Sequence, residues 1–132
     1  MKKEYKELLL QDLSARLPYG VKIQYDNQSC KLVVINDDYT VLLLGEDGHK
    51  PNIEDDLFLD IEKAKPYLRS MSSMSEEEKH NYFMTYTSIN GVDIPHPYKT
   101  QDWLNAHHFD YRGLIEKGLA IAVTEENNPY KK

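Results

Sequence analysis

Between Lys3 and Tyr25 the spacing of apolar side chains switches from helical to strand-like within a few residues, and this switch narrows the fold more than anything else in the chain. Tyr5, Leu8, Leu9, Leu13, Arg16 and Leu17 recur at helical spacing against Lys3, Lys6, Glu7 and Gln11, which predicts an amphipathic helix over 3–17. Pro18 stops it, because proline cannot continue the backbone bonding, and Tyr19-Gly20 turns the chain. Val21, Ile23 and Tyr25 then alternate with Lys22, Gln24 and Asp26, as in a strand with one wet face. Turn chemistry at 26–29, a strand at 30–35, a polar Asn36-Asp37-Asp38 turn and a strongly apolar strand at 39–44 complete an antiparallel meander. The third strand is expected at its centre, because both of its faces are apolar.

Residues 45–48 close the meander. Leu57, Phe58, Ile61 and Ala64 then allow a short helix ended by Pro66. Ser75 followed by Glu76, Glu77 and Glu78 reads as a hydroxyl cap with a capping box, and the acids complement the positive end of the helix dipole. Lys79, Tyr82, Phe83 and Tyr86 form the expected inward stripe of that helix. Asn90-Gly91 turns the chain, and the prolines keep 94–98 extended. The stretch 102–123 is densest in large apolar and aromatic side chains. Within it Trp103, Leu104, His107, His108 and Tyr111 share one face of a helix over 100–109 capped by Thr100 or Asp102. Asp110 is expected to cap a second helix over 112–117, Gly118 to take the left-handed position after it, and 119–123 to form a strand buried on both faces that joins the sheet at an edge.

The fold class is therefore α+β in one domain, 1–132: a three- to four-stranded antiparallel sheet, meander plus C-terminal strand, with an N-terminal helix and two to three C-terminal helices on one face, and a polar tail at 125–132. At 132 residues one hydrophobic core suffices. A net charge of -6 and a pI near 5.3 argue against nucleic acid, whose binding is driven by clustered Lys and Arg. The lone Cys30 excludes an internal disulfide and suits a small buried hydrophobe. No apolar run approaches the roughly 18 residues of a membrane span, and none of signal-peptide length follows Lys2 and Lys3, so a cytoplasmic location is expected.

Chemistry-bearing patterns are sparse. The glycine turns at 45–48 and 113–118 match neither a phosphate loop nor a dinucleotide fingerprint, so no cofactor is expected. Glu54, Asp55, Asp56, Asp60 and Glu62 lack the residue order of a calcium loop. His107 and His108, with Asp110 and Asp102 nearby, invite a metal or acid/base reading, but adjacent helical histidines point about 100° apart and do not chelate one ion as an i, i+4 pair does. His49 and His96 fall in loops away from that pair, and no Ser or Cys stands in a nucleophile frame. Two alternatives remain: a small hydrolase using His107 or His108 with Asp110, and a winged-helix regulator suggested by LIEKGLAIAV, although the helix over 100–109 holds no Lys or Arg to read DNA.

Ten tyrosines against three phenylalanines favour surfaces where an aromatic must keep one end wet. The expectation is a non-enzymatic module that binds a protein partner through Tyr98, Trp103, His107, His108 and Tyr111. The segments LSARLPYGV (13–21), KPYLRSMSSMSEEE (65–78) and WLNAHHFDYRGLIEKGLAI (103–121) resemble a group of short uncharacterised proteins encoded by gut bacteria and their phages. The resemblance covers most of the chain and implies association with a phage or other mobile element, with 87–101 as the stretch where such proteins differ in length. It carries no activity and no catalytic residue.

Overall fold

A computed structural model describes residues 2–25, 27–45 and 58–130. The chain is α+β. Helix α1 (Lys3–Arg16) passes through a short 3-10 turn (Leu17–Tyr19) in which Pro18 sits near the start, where its missing N–H costs nothing, and Gly20 takes a left-handed φ of 72° to end it. Three strands follow as expected: β1 (Lys22–Tyr25), β2 (Gln28–Ile35) and β3 (Thr40–Gly45), each antiparallel to the next. Leu9 and Leu13 of α1 lie fully buried on Ile23, Cys30, Val41 and Leu43 of the meander. Each such side chain contributes about 1.5–3 kcal/mol of burial free energy.

The sheet is larger than the expected three or four strands and is not wholly antiparallel. Strand β4 (Leu59–Asp60), a 3-10 turn (Ile61–Lys63) and β5 (Lys65–Leu68) occupy the region read as a helix ended by Pro66. Pro66 lies within β5, opposite Ile23. The spatial order of the sheet, with Ile121–Ala122 as its last strand β8, is β4-β3-β2-β1-β5-β8, so β3 is covered by β4 and the centre falls at β2 and β1, not at β3. Strand β3 is thus second from the edge, and its alternate residues are only half-buried. The chain leaves β5 and returns as β8 (Ile121–Ala122) parallel to it, since the intervening residues 69–120 are long enough for a crossover.

Helix α2 (Glu76–Phe83) begins with the expected capping box: the Glu78 N–H donates to Ser75 Oγ at 3.1 Å, and the Ser75 N–H donates to Glu78 Oε1 at 2.9 Å. Its inward face is narrower than expected. Tyr82 is half-buried, but Lys79 and Phe83 point to solvent, and Tyr86 lies beyond the helix end. Asn90 and Gly91, at φ 52° and 80°, form the tight turn of a hairpin, β6 (Thr87–Ile89) and β7 (Val92–Ile94), which stands apart from the six-stranded sheet.

Helix α3 (Lys99–Ala106) is shorter than the expected 100–109, and neither Thr100 nor Asp102 caps it. The cap comes from His96, whose Nδ1 accepts from the N–H groups of Tyr98 and Lys99 at 3.3 and 3.2 Å. Over 112–117 there is no helix. Asp110 instead accepts from the N–H groups of Leu114 and Ile115, both at 2.9 Å, and nucleates a turn closed by Gly118 at φ 74°, the left-handed position expected for it. One buried carboxylate thus meets two backbone donors, which satisfies a turn without the four-residue ladder of a helix. The strand expected over 119–123 shrinks to β8, whose Ala122 is exposed, so it is a half-wet edge and not a strand buried on both faces. The passage LIEKGLAIAV therefore runs from a turn into a parallel edge strand, not from a helix into a wing. No helix among the described residues is long and apolar enough to cross a membrane.

Candidate functional site

Arg16, on the apolar stripe of α1, is completely buried. Its Nε donates to Asp12 Oδ2 at 2.8 Å and its Nη2 to the Phe109 carbonyl at 2.6 Å, while Arg112 Nη1 donates to Asp12 Oδ1 at 2.9 Å. Two guanidinium groups thus share one buried carboxylate and anchor the loop after α3 onto α1. A buried charge of this kind persists only when paired and hydrogen-bonded. The Tyr111 ring lies between them, 4.5 Å from the Arg112 guanidinium and 5.3 Å from that of Arg16, and its hydroxyl donates to Asn105 Oδ1.

The end of α3 is closed by His108 at φ 63°, with the His108 N–H bonded to the Asn105 carbonyl and the Phe109 N–H to that of Leu104. This is the left-handed C-cap geometry that glycine usually fills. Because the helix stops there, His108 and Tyr111 leave the face shared by Trp103 and Leu104, contrary to the helical spacing. The reversed chain then runs beside β5: the Arg69 N–H donates to the His108 carbonyl at 2.7 Å, and the Asp110 N–H to that of Arg69 at 2.8 Å. Arg69 stacks on the Phe109 ring at 4.3 Å and forks onto Glu78 at 2.6 and 2.8 Å, holding that carboxylate well below its usual range, at about 2.

These contacts wall a cleft of about 640 Å³ lined by Arg69, Ser73, His107, His108, Thr124 and Tyr130, among others. Tyr130, in the polar stretch after Thr124, is held by two bonds: its hydroxyl donates to the Tyr67 carbonyl at 2.7 Å and accepts from the Lys22 N–H at 3.0 Å. Its ring stacks on His108 at 3.7 Å, and burial pushes its phenol upward. Burial, then the Arg16, His107 and Arg69 charges, lower His108 to about 4, so its imidazole is neutral at pH 7. Two buried atoms, His108 Nδ1 and Arg16 Nη1, have no hydrogen-bond partner among the described residues.

The expected contact residues do not make one patch. Trp103 is half-buried, with its ring 4.2 Å from His107, 5.7 Å from Phe109 and 5.8 Å from Tyr82. His107 is exposed, and its Nδ1 lies 2.8 Å from the Trp103 carbonyl. Tyr98 is exposed beside His96, outside the cleft, and Tyr111 is committed to the arginines. His107 and His108 line this cleft, and Asp110 does not. Asp110 opens on a separate hollow of about 220 Å³ with Ser70 and Glu116, and both of its oxygens are taken by the turn. Cys30 is buried in β2, as its strand position implied. Among the described residues no three His, Cys, Asp or Glu side chains gather as metal ligands would. Asp60 caps a 3-10 turn and Glu62 pairs with Lys6 at 2.9 Å, whereas Glu46 to Gly48, His49 and Glu54 to Asp56 lie outside the described residues.

Asp12, Arg16, Arg69 and Tyr130 were not singled out as site residues by sequence reasoning. For Arg16 a signal existed, a cation on an apolar stripe with an acid one turn before it. For Arg69 and Tyr130 only the tertiary pairing supplies one. No protein-family model, curated protein or solved structure matches the chain.

Proposed function

We propose that the protein is a non-enzymatic protein-interaction module that receives a partner side chain in the cleft lined by His107 and the His108–Tyr130 stack. One observation supports this above the others: the cleft is walled by His107 and the stacked His108–Tyr130 pair, with Ser73, Thr124 and Asn128 as neutral polar groups and Arg69 and Glu125 as charged ones. Such a wall offers an anchoring side chain apolar area with a few hydrogen-bonding groups, as interface hot spots do. The His108 imidazole, lowered to about 4, is a weak base at pH 7, which disfavours His108 as a general base. The resemblance to short phage- and gut-bacterial proteins supports an accessory role in a mobile element, acting on a host component.

Ala106, exposed on α3 at the cleft wall, provides the test. Ala106→Trp should fill the cleft and leave the fold intact. Tagged wild-type protein and this variant, purified from the native cell and compared by quantitative mass spectrometry, should differ by loss of a specific protein at least about tenfold, the size of one modest hot spot. Equal recovery of every protein by a folded variant would overturn the cleft as the contact.

A further inference from the structure

The polar groups of the cleft share one hydrogen-bonding direction. His108 Nδ1 is buried without a partner among the described residues, and so is Arg16 Nη1 on the wholly buried guanidinium behind it. The charges that act on His108 are cationic, Arg16 foremost, then His107 and Arg69. Arg16 and Arg112 share the single Asp12 carboxylate, which leaves a surplus positive charge on the buried side, whereas Arg69, in the cleft wall, is matched by Glu78. A neutral imidazole in that field is more stable with a lone pair on its buried nitrogen than with an N–H there, because a guanidinium has only donors to offer. Nδ1 therefore stays bare and the proton sits on Nε2. His108 lines the cleft, and with Nδ1 buried the nitrogen left to the cleft is Nε2, a donor.

Two more lining residues act in the same sense. Thr124 Oγ1 accepts from the Asn127 N–H at 3.1 Å and Asn128 Oδ1 from the Tyr130 N–H at 3.0 Å, so the turn takes their acceptor oxygens and leaves the Thr124 hydroxyl proton and the Asn128 amide N–H groups to donate. Against these stand the Glu125 carboxylate and the Nε2 of His107, whose Nδ1 faces the Trp103 carbonyl; both belong to exposed residues that water can serve. Donors with positive charge behind them suit an oxygen anion, since a charge-assisted hydrogen bond is roughly twice as strong as a neutral one.

We infer that the cleft selects the carboxylate of an aspartate or glutamate side chain on its protein partner, received by the His108 Nε2–H together with Thr124 and Asn128. This deepens the reading of the cleft as the contact and rests on it.

The test uses the full chain, labelled with nitrogen-15, at neutral pH. Long-range correlation spectra of the imidazoles should show His108 with its proton on Nε2, and a proton on Nδ1 overturns the inference. The chain is then titrated, at constant ionic strength, with single residues capped at both ends: N-acetylglutamic acid α-amide and its glutamine and lysine counterparts. The glutamate probe should move the His108 Nε2–H resonance and leave that of His80, exposed on α2, in place. It should bind at least about tenfold more tightly than the lysine probe, and more tightly than the glutamine probe, which has the same shape without the charge. No binding of glutamate, lysine or glutamine bound as tightly, or an equal shift at His80 overturns the inference. Loss of a partner on Ala106→Trp without a preference for glutamate would sink this inference alone, and a preference for glutamate with equal recovery of every protein would sink the contact reading alone.

Discussion

At His108 and Glu78 the fold moves proton affinity in one direction for two different reasons. His108 is lowered to about 4 from 6.5 chiefly by burial, so between those values the unfolded chain binds a proton that the folded chain does not. Stability contributed by its neutrality is therefore lost as pH falls from about 6.5 to about 4. Glu78 is lowered to about 2 from 4.5, chiefly by its bond from Arg69, and its contribution is present above 4.5 and lost as pH falls toward 2. Urea midpoints measured from pH 7 to pH 2.5 should accordingly decline in both windows. His108→Asn, which tolerates positive φ and does not titrate, should flatten the upper window alone, and Glu78→Gln the lower alone. A decline in the upper window that survives His108→Asn would show that the imidazole is not desolvated. Arg16 illustrates what residue type does not reveal: its position on a buried stripe was legible at i, i+3 and i+7 from Leu9 and Leu13, but its bond to the Phe109 carbonyl is a contact across 93 residues.

Elements were legible where the signal is local. The amphipathic stripe of α1, the capping box of α2 and the left-handed Gly118 all depend on side chains within one or two turns of one another. The hairpin at 87–94 has an equally local signal in Asn90-Gly91 between T-S-I and V-D-I, the type of turn that joins two strands, whereas the expectation there was only a turn and an extended 94–98. Elements were misread where two periodicities compete. Leu57 to Pro66 has enough apolar residues for a helix, but Leu59, Pro66 and Leu68 are needed by strands on both sides of the meander. For α1 the burial pattern makes a sharp expectation. Leu13→Ala should cost about 2–4 kcal/mol, as emptying a packed core position does, while Lys6→Ala, which removes a solvent-screened pair with Glu62, should cost far less. Comparable losses in urea denaturation would mean that α1 is not docked on the sheet.

Across the whole molecule a residue from the polar stretch after Thr124 ties two neighbouring strands of the sheet together. Tyr130 bridges the backbone of β1 and β5 through Lys22 and Tyr67 and at the same time backs His108, so a C-terminal residue closes the cleft begun by Arg69 and α3. Tyr130→Phe keeps the ring stack and deletes both bonds. It should cost about 1–2 kcal/mol in thermal or urea denaturation and leave His108 stacked. A loss below about 0.3 kcal/mol would show that the hydroxyl does not hold the terminal segment.

By itself the sequence determined an α+β chain: an apolar stripe of period near 3.6 can be buried only as a helix, an alternation of period 2 only as a strand, and turn residues mark the joints between them. Strand order, the parallel return of β8 and the gathering of Arg69, His108 and Tyr130 around one cleft belong to the tertiary structure alone. The reason is physical. Local pattern says which side of an element must leave water, but many neighbours can satisfy that demand, and the choice among them rests on pairings between residues tens of positions apart, where backbone donors and buried charges must all find partners at once.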